Sequence, residues 1–118
     1  MTRRIKSGPA DLLGKHLRMS DLVSYQEGSI VSRTLIDKAV GTVTIFAFDE
    51  GQGLSEHAAP YDAMVHILEG EVDLTLSGVV HSMKEGDVII MSANEAHALK
   101  AVKPFKMLLT MVRQPEDQ

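Results

Sequence analysis

Apolar and polar positions alternate along most of the chain with a period of two. Over 42–48, Val43, Ile45 and Ala47 point one way and Thr44, Phe46 and Phe48 the other. Neither set is strongly polar, so both faces of this strand should be covered, by a second sheet or by a partner subunit. Upstream, Ile30, Val31, Thr34, Leu35 and Ile36 make 29–37 a β-branched strand, and Lys38-Ala-Val-Gly41 supplies the turn of a hairpin. Downstream, a strand over 63–69 turns at Glu69-Gly70 into one where Val72, Leu74 and Leu76 alternate with Glu71, Asp73 and Thr75, the pattern of a half-buried strand.

Turn signals at Ser77-Gly78, Lys84-Glu85-Gly86 and 92–95 separate further strands over 79–83, 87–91 and 97–102, and Lys103-Pro104 precedes a last one over 105–112. Short strands between tight turns, with no long helical period, predict an antiparallel sandwich or small barrel. Residues 1–28 are interrupted by Gly8-Pro9 and Gly14 and read as a loosely packed arm; 29–114 form the barrel domain and 115–118 a tail. Within the arm, Leu12, Leu13 and Leu17 suit one helical turn, and Ser20 is placed to cap a short turn over 21–23.

With 118 residues there is material for one domain and one core. A net charge of −4 offers no basic field for a nucleic-acid backbone, so nucleic acid is not an expected partner. Cysteine is absent, which removes disulfides, thiolate chemistry and cysteine-built zinc sites. The start is basic but no apolar run of signal-peptide length follows, and the longest apolar runs fall far short of the ~20 residues that cross a bilayer. A cytoplasmic protein without a membrane partner is the expectation.

Two histidine-bearing stretches carry the candidate chemistry. The first runs from Gly51 through His57 to Gly70; the second runs from Gly86 through Asn94 to His97. Their spacing resembles the two motifs of the cupins, small all-β proteins with a double-stranded β-helix or jelly-roll barrel. In the first motif Gly51, His57 and Gly70 match, while the second histidine position is Ala59 and the glutamate position is Ala63. In the second, Gly86 and His97 match; its Pro falls on Ser92, its Gly on Asn94 and its closing Asn on Ala101. Asn at the glycine position suits a left-handed turn.

The resemblance implies a site inside the barrel at His57 and His97. Complete cupins hold iron, manganese, nickel or zinc there through three histidines and a glutamate, and use it for oxygenase or isomerase chemistry. Here two of those four residues are present. Asp62 lies beside the glutamate position but on the opposite strand face, unless Pro60 shifts the register, and His66 also faces away. Replacing two ligands with alanine leaves a wider, more apolar barrel mouth, suited to a small organic molecule.

Three functions follow from these residues. One is a small-molecule or weak-metal binding protein anchored on His57 and His97. Another is a metal-dependent oxygenase, isomerase or cyclase in which Asp62, His66, Gln52 or water completes the shell. The third is a scaffold for a protein partner. His16 and His81 match no motif position and are expected at the surface, as are the turn charges Glu56 and Glu69; Met64, Met83, Met91, Met107 and Met111 are expected to fill the core or an interface. A homodimer is expected, because 42–48 is apolar on both faces and 105–112 is nearly free of charge. The arm could cross to the second subunit.

Overall fold

The computed structural model describes residues 3–7 and 11–113, so the tail expected at 115–118 lies outside the described residues. The described residues form ten strands: β1 (Arg3–Ser7), β2 (Ser29–Lys38), β3 (Gly41–Phe48), β4 (Gly53–His57), β5 (Tyr61–Glu69), β6 (Glu71–Leu76), β7 (Val79–Lys84), β8 (Val88–Met91), β9 (His97–Ala101) and β10 (Phe105–Arg113). They form a six-stranded sheet in the order β1-β2-β3-β10-β5-β8 and a four-stranded sheet in the order β4-β9-β6-β7. This is an all-β barrel, as the strand pattern predicts, in the jelly-roll form that the family resemblance implies. No helix among the described residues is long and apolar enough to cross a membrane.

The period-two alternation decides which residues fill the barrel. From the six-stranded sheet Phe48, Val65, Ile67, Phe105 and Met107 point inward; from the four-stranded sheet Val72, Leu74, Met83 and Leu99 meet them. Phe48 and Phe105 stack with centroids 4.6 Å apart, both fully buried, so these two belong to the core and not to an intersubunit surface. Burying such rings supplies ~2–3 kcal/mol each from apolar transfer, which makes the pair a principal anchor between strands far apart in sequence.

The other face of β3 is covered by the chain itself. Ile45 and Ala47 are fully buried against Val23, with Leu22, Tyr25 and Leu108 packed around them. A 3-10 turn, Met19–Leu22, delivers this cover. Tyr25 Oη donates a 2.6 Å hydrogen bond to Glu69, and Lys106 Nζ lies over the Tyr25 ring while donating to the Ser20 carbonyl oxygen. Burial, with the Glu69 hydrogen bond and charge, drives the Tyr25 hydroxyl pKa well above the usual tyrosine value.

These observations correct the reading of 1–28 as a loose arm. Arg3–Ser7 joins the six-stranded sheet in parallel with β2, and Val23 belongs to a core cluster. Around Leu12 and Leu13 the chain makes a single hydrogen-bonded turn over 11–14, with Lys15 N–H donating to the Leu12 carbonyl oxygen, but it does not extend into a helix and Leu13 is largely exposed. Ser20 caps nothing, since the 3-10 turn starts after Arg18 with no side-chain cap. Nor is Glu69 simply a solvated charge, for it is the acceptor that pins Tyr25. His81 is half-buried opposite Leu74 and not exposed.

Candidate functional site

His57 owes its position to an irregularity in β4. Leu54 pairs with Leu99 and His57 with His97, so three steps along β4 match two along β9. Strict alternation from Leu54 would turn Glu56 to the cavity side; the extra residue of this bulge puts His57 there instead, exposed at the cavity while His97 is half-buried. The two imidazoles meet with centroids 4.3 Å apart at 61°.

Both rings are oriented in the same way. His57 Nδ1 lies 2.8 Å from the Ser55 carbonyl oxygen and His97 Nδ1 lies 2.9 Å from that of Glu95. A carbonyl can only accept, so each Nδ1 carries a proton, and in the neutral form of such a ring the lone pair is on Nε2. Each Nε2 can then accept a hydrogen bond or ligate a cation.

The turn before His97 is strongly braced. Asn94 adopts φ 67°, the left-handed conformation expected there, and its N–H donates to the Ala59 carbonyl oxygen at 2.7 Å. The Glu95 carboxylate accepts from Ser92 N–H and from Ser77 Oγ. Asp62, on the outer face of β5, accepts the Ala93 N–H at 2.9 Å. Asp62 is thus a clasp between 59–62 and 92–95, the two segments that flank the histidines, and contributes nothing to the cavity. His66 also lies outward, opposite Leu108 and Val88.

The histidines open onto a cavity of about 410 Å³ that takes lining residues from all six strands of the larger sheet and from β4 and β9. Phe46, Leu54, Met91, Leu109 and Met111 make it mainly apolar, and a further space of about 50 Å³ extends from the same residues toward Leu74 and Met107. Ala59 and Ala63, at the two ligand positions of the motif that this chain does not keep, both line it. Gln52 is not among its lining residues. Sequence reasoning missed Tyr61, which lines the mouth and accepts a 2.6 Å hydrogen bond from Arg113, and it missed Arg4 and Lys6.

Among the described residues no group of three or more His, Asp or Glu gathers as a metal shell. A firmly held divalent ion takes three or four protein ligands, and the facial iron arrangement needs a carboxylate beside its two histidines. The pair His57 and His97 supplies two donors, so these residues do not fit a tightly held resident metal.

A family model described as a cupin domain matches residues 44–112. The chain belongs to the cupin family. Among solved structures, this cupin is similar to a conserved protein of unknown function from Streptococcus pyogenes, with 36% identity over 87% of this chain and 90% of that one and a TM-score of 0.83. It is also similar to a cupin superfamily protein from Desulfitobacterium hafniense, with 25% identity, coverage of 86% and 93%, and a TM-score of 0.81. A cupin 2 conserved barrel domain protein from Leptotrichia buccalis shares 39% identity over 80% of this cupin and 46% of its own length, with a TM-score of 0.77. No curated protein matches the chain.

Proposed function

We propose that this cupin binds a small organic molecule in the barrel cavity, with His57 and His97 as its polar anchors. The observation that carries the reading is a pair of converging imidazoles, both held through Nδ1, at an otherwise mainly apolar cavity. A cavity near 410 Å³ lies at the compact end of the roughly 300–1,000 Å³ typical of small-molecule sites. Each Nε2 can accept a hydrogen bond from a ligand hydroxyl, while the apolar wall takes the ligand body. Benzyl alcohol, titrated while the histidine ring resonances are followed by NMR, tests this. Saturable shifts at His57 and His97 but not at His16, which does not line the cavity, are expected, and their absence would favour a scaffold that binds a protein partner.

A weakly held divalent cation is the second reading, favoured by the Nδ1–carbonyl hydrogen bonds, the arrangement that orients metal-bound imidazoles. Iron, manganese, nickel or zinc would then sit on two Nε2 atoms with water or ligand oxygens completing the shell. Titration with Ni²⁺ should broaden the His57 and His97 resonances reversibly, and His57→Ala or His97→Ala should each abolish the effect. Binding that survives both substitutions would overturn this reading.

A further inference from the structure

We infer that the cavity selects an organic anion, and that Arg4 and Lys6 on β1 are the residues that select it; this rests on the small-molecule reading above. Parallel pairing places Arg4 opposite Ile30 and Lys6 opposite Ser32. Ile30 and Ser32 line the cavity, and alternation puts both cations on that same face, where they line it too. Ile5, between them, takes the outer face opposite Val31. The strand therefore turns two of its three cations, Arg4 and Lys6, toward the barrel, while Arg3 and Ile5 take the other face.

The sign of this wall is not a consequence of composition. The chain has 16 acidic residues against 12 Lys and Arg, yet no Asp or Glu lines the cavity. Among the described residues, ion pairs form at Arg18–Asp21 and Lys103–Glu71, and neither Arg4 nor Lys6 is in one. Both side chains are exposed, so water and salt screen them, but two uncompensated cations at the rim of a cavity lined by no acidic residue still concentrate anions there. Tyr61 adds a neutral donor: its oxygen already accepts from Arg113, so its own hydrogen is left to donate.

The ligand class that fits carries a carboxylate or phosphate at the Arg4–Lys6 wall and a compact apolar body against Phe46 and Leu109. The cationic wall lies upstream of residues 44–112, outside the stretch that defines the family.

Inward charges on an edge strand can also serve only to discourage edge-to-edge pairing, and the experiment must separate the two roles. Benzoate, phenyl phosphate and neutral benzamide are titrated against the wild-type protein and the Arg4→Gln/Lys6→Gln double variant, with the His57 and His97 ring resonances as the readout. At least one anion should bind the wild type about tenfold tighter than benzamide, and lose about that factor in the double variant, where benzamide should be unaffected. The stronger of benzoate and phenyl phosphate identifies the acid group, and added salt should weaken its binding. Equal affinity for benzamide and both anions, or no loss in the double variant while its β1 amide signals persist, would overturn the anion assignment and leave the small-molecule reading standing. Silence of both ring resonances to all three probes would overturn both.

Discussion

His57 and His97, forty positions apart in the chain, are direct partners across β4 and β9 with their rings 4.3 Å apart. The contact depends on the segments beside them being fastened together, and Asp62 supplies one fastening through Ala93 N–H. Because Asp62 is exposed and faces outward, Asp62→Ala should cost only about 0.5–1 kcal/mol in urea unfolding. It should leave Ni²⁺ broadening at the two histidines in place. Complete loss of that broadening in a folded Asp62→Ala protein would make Asp62 a ligand and this register wrong.

Much of this was legible in the sequence where a local rule and the tertiary packing agree. The alternation of Val72, Leu74 and Leu76 becomes the wall of the barrel, and Asn94 takes the left-handed turn expected of it. The motif spacing led to His57 and His97 without any reading of strand register, which was fortunate, since strict alternation from Leu54 would have placed Glu56 inside. The bulge that reverses this leaves no residue signature. The arm was misread for a related reason: five residues rich in Arg and Lys have weak strand propensity alone and become a strand only beside β2. Tyr25 and Glu69, 44 positions apart, likewise meet only through the fold.

Gly70 should tolerate no side chain. Its φ is 83°, and a methyl group built there would overlap the Pro104 carbonyl oxygen and the Phe105 backbone. Left-handed strain and a clash with backbone act together at the turn that positions Phe105 against Phe48. Gly70→Ala should therefore lower unfolding free energy by about 3 kcal/mol or more, or give no soluble protein. A loss below about 1 kcal/mol in denaturant unfolding would show that the β5–β6 turn yields more easily than its packing implies.

Tyr25 should make stability fall at alkaline pH in a way that Tyr25→Phe does not share. Its pKa is raised on folding, by burial first and then by the Glu69 hydrogen bond and charge. A raised pKa means that the folded state favours the neutral hydroxyl. Its contribution is full below the unfolded value near ~10 and is lost as pH rises from there toward the folded value. At pH ~8 the wild type should exceed Tyr25→Phe by about 1 kcal/mol, a discounted value for a half-exposed bond to a carboxylate. The gap should shrink by pH ~11, where ionisation stabilises the unfolded wild type alone. A constant gap between those pH values in urea unfolding would refute the linkage.

The remaining expectation is a homodimer, and the sheet register locates its surface. On the outer face of the six-stranded sheet Ile36 lies opposite Val43, Val43 opposite Thr110, Thr110 opposite Met64 and Met64 opposite Ile90, an uncharged row across five strands. Ile90 is 72% exposed and Ile36 49%, with Val88 and Val112 also exposed nearby. The segment ending at Tyr25 covers Ile45 and Ala47 but leaves these residues open. Soluble monomers seldom leave such contiguous apolar surface beyond a few hundred Å² in water, and a two-fold pair covers it with one patch on each copy. Light scattering at micromolar concentration should give twice the 12.9 kDa of one chain, and Ile90→Glu should return the protein to that single mass while the His57 and His97 resonances keep their positions. A wild-type mass of one chain would refute the dimer, and a dimer indifferent to Ile90→Glu would place its interface on another face of the barrel.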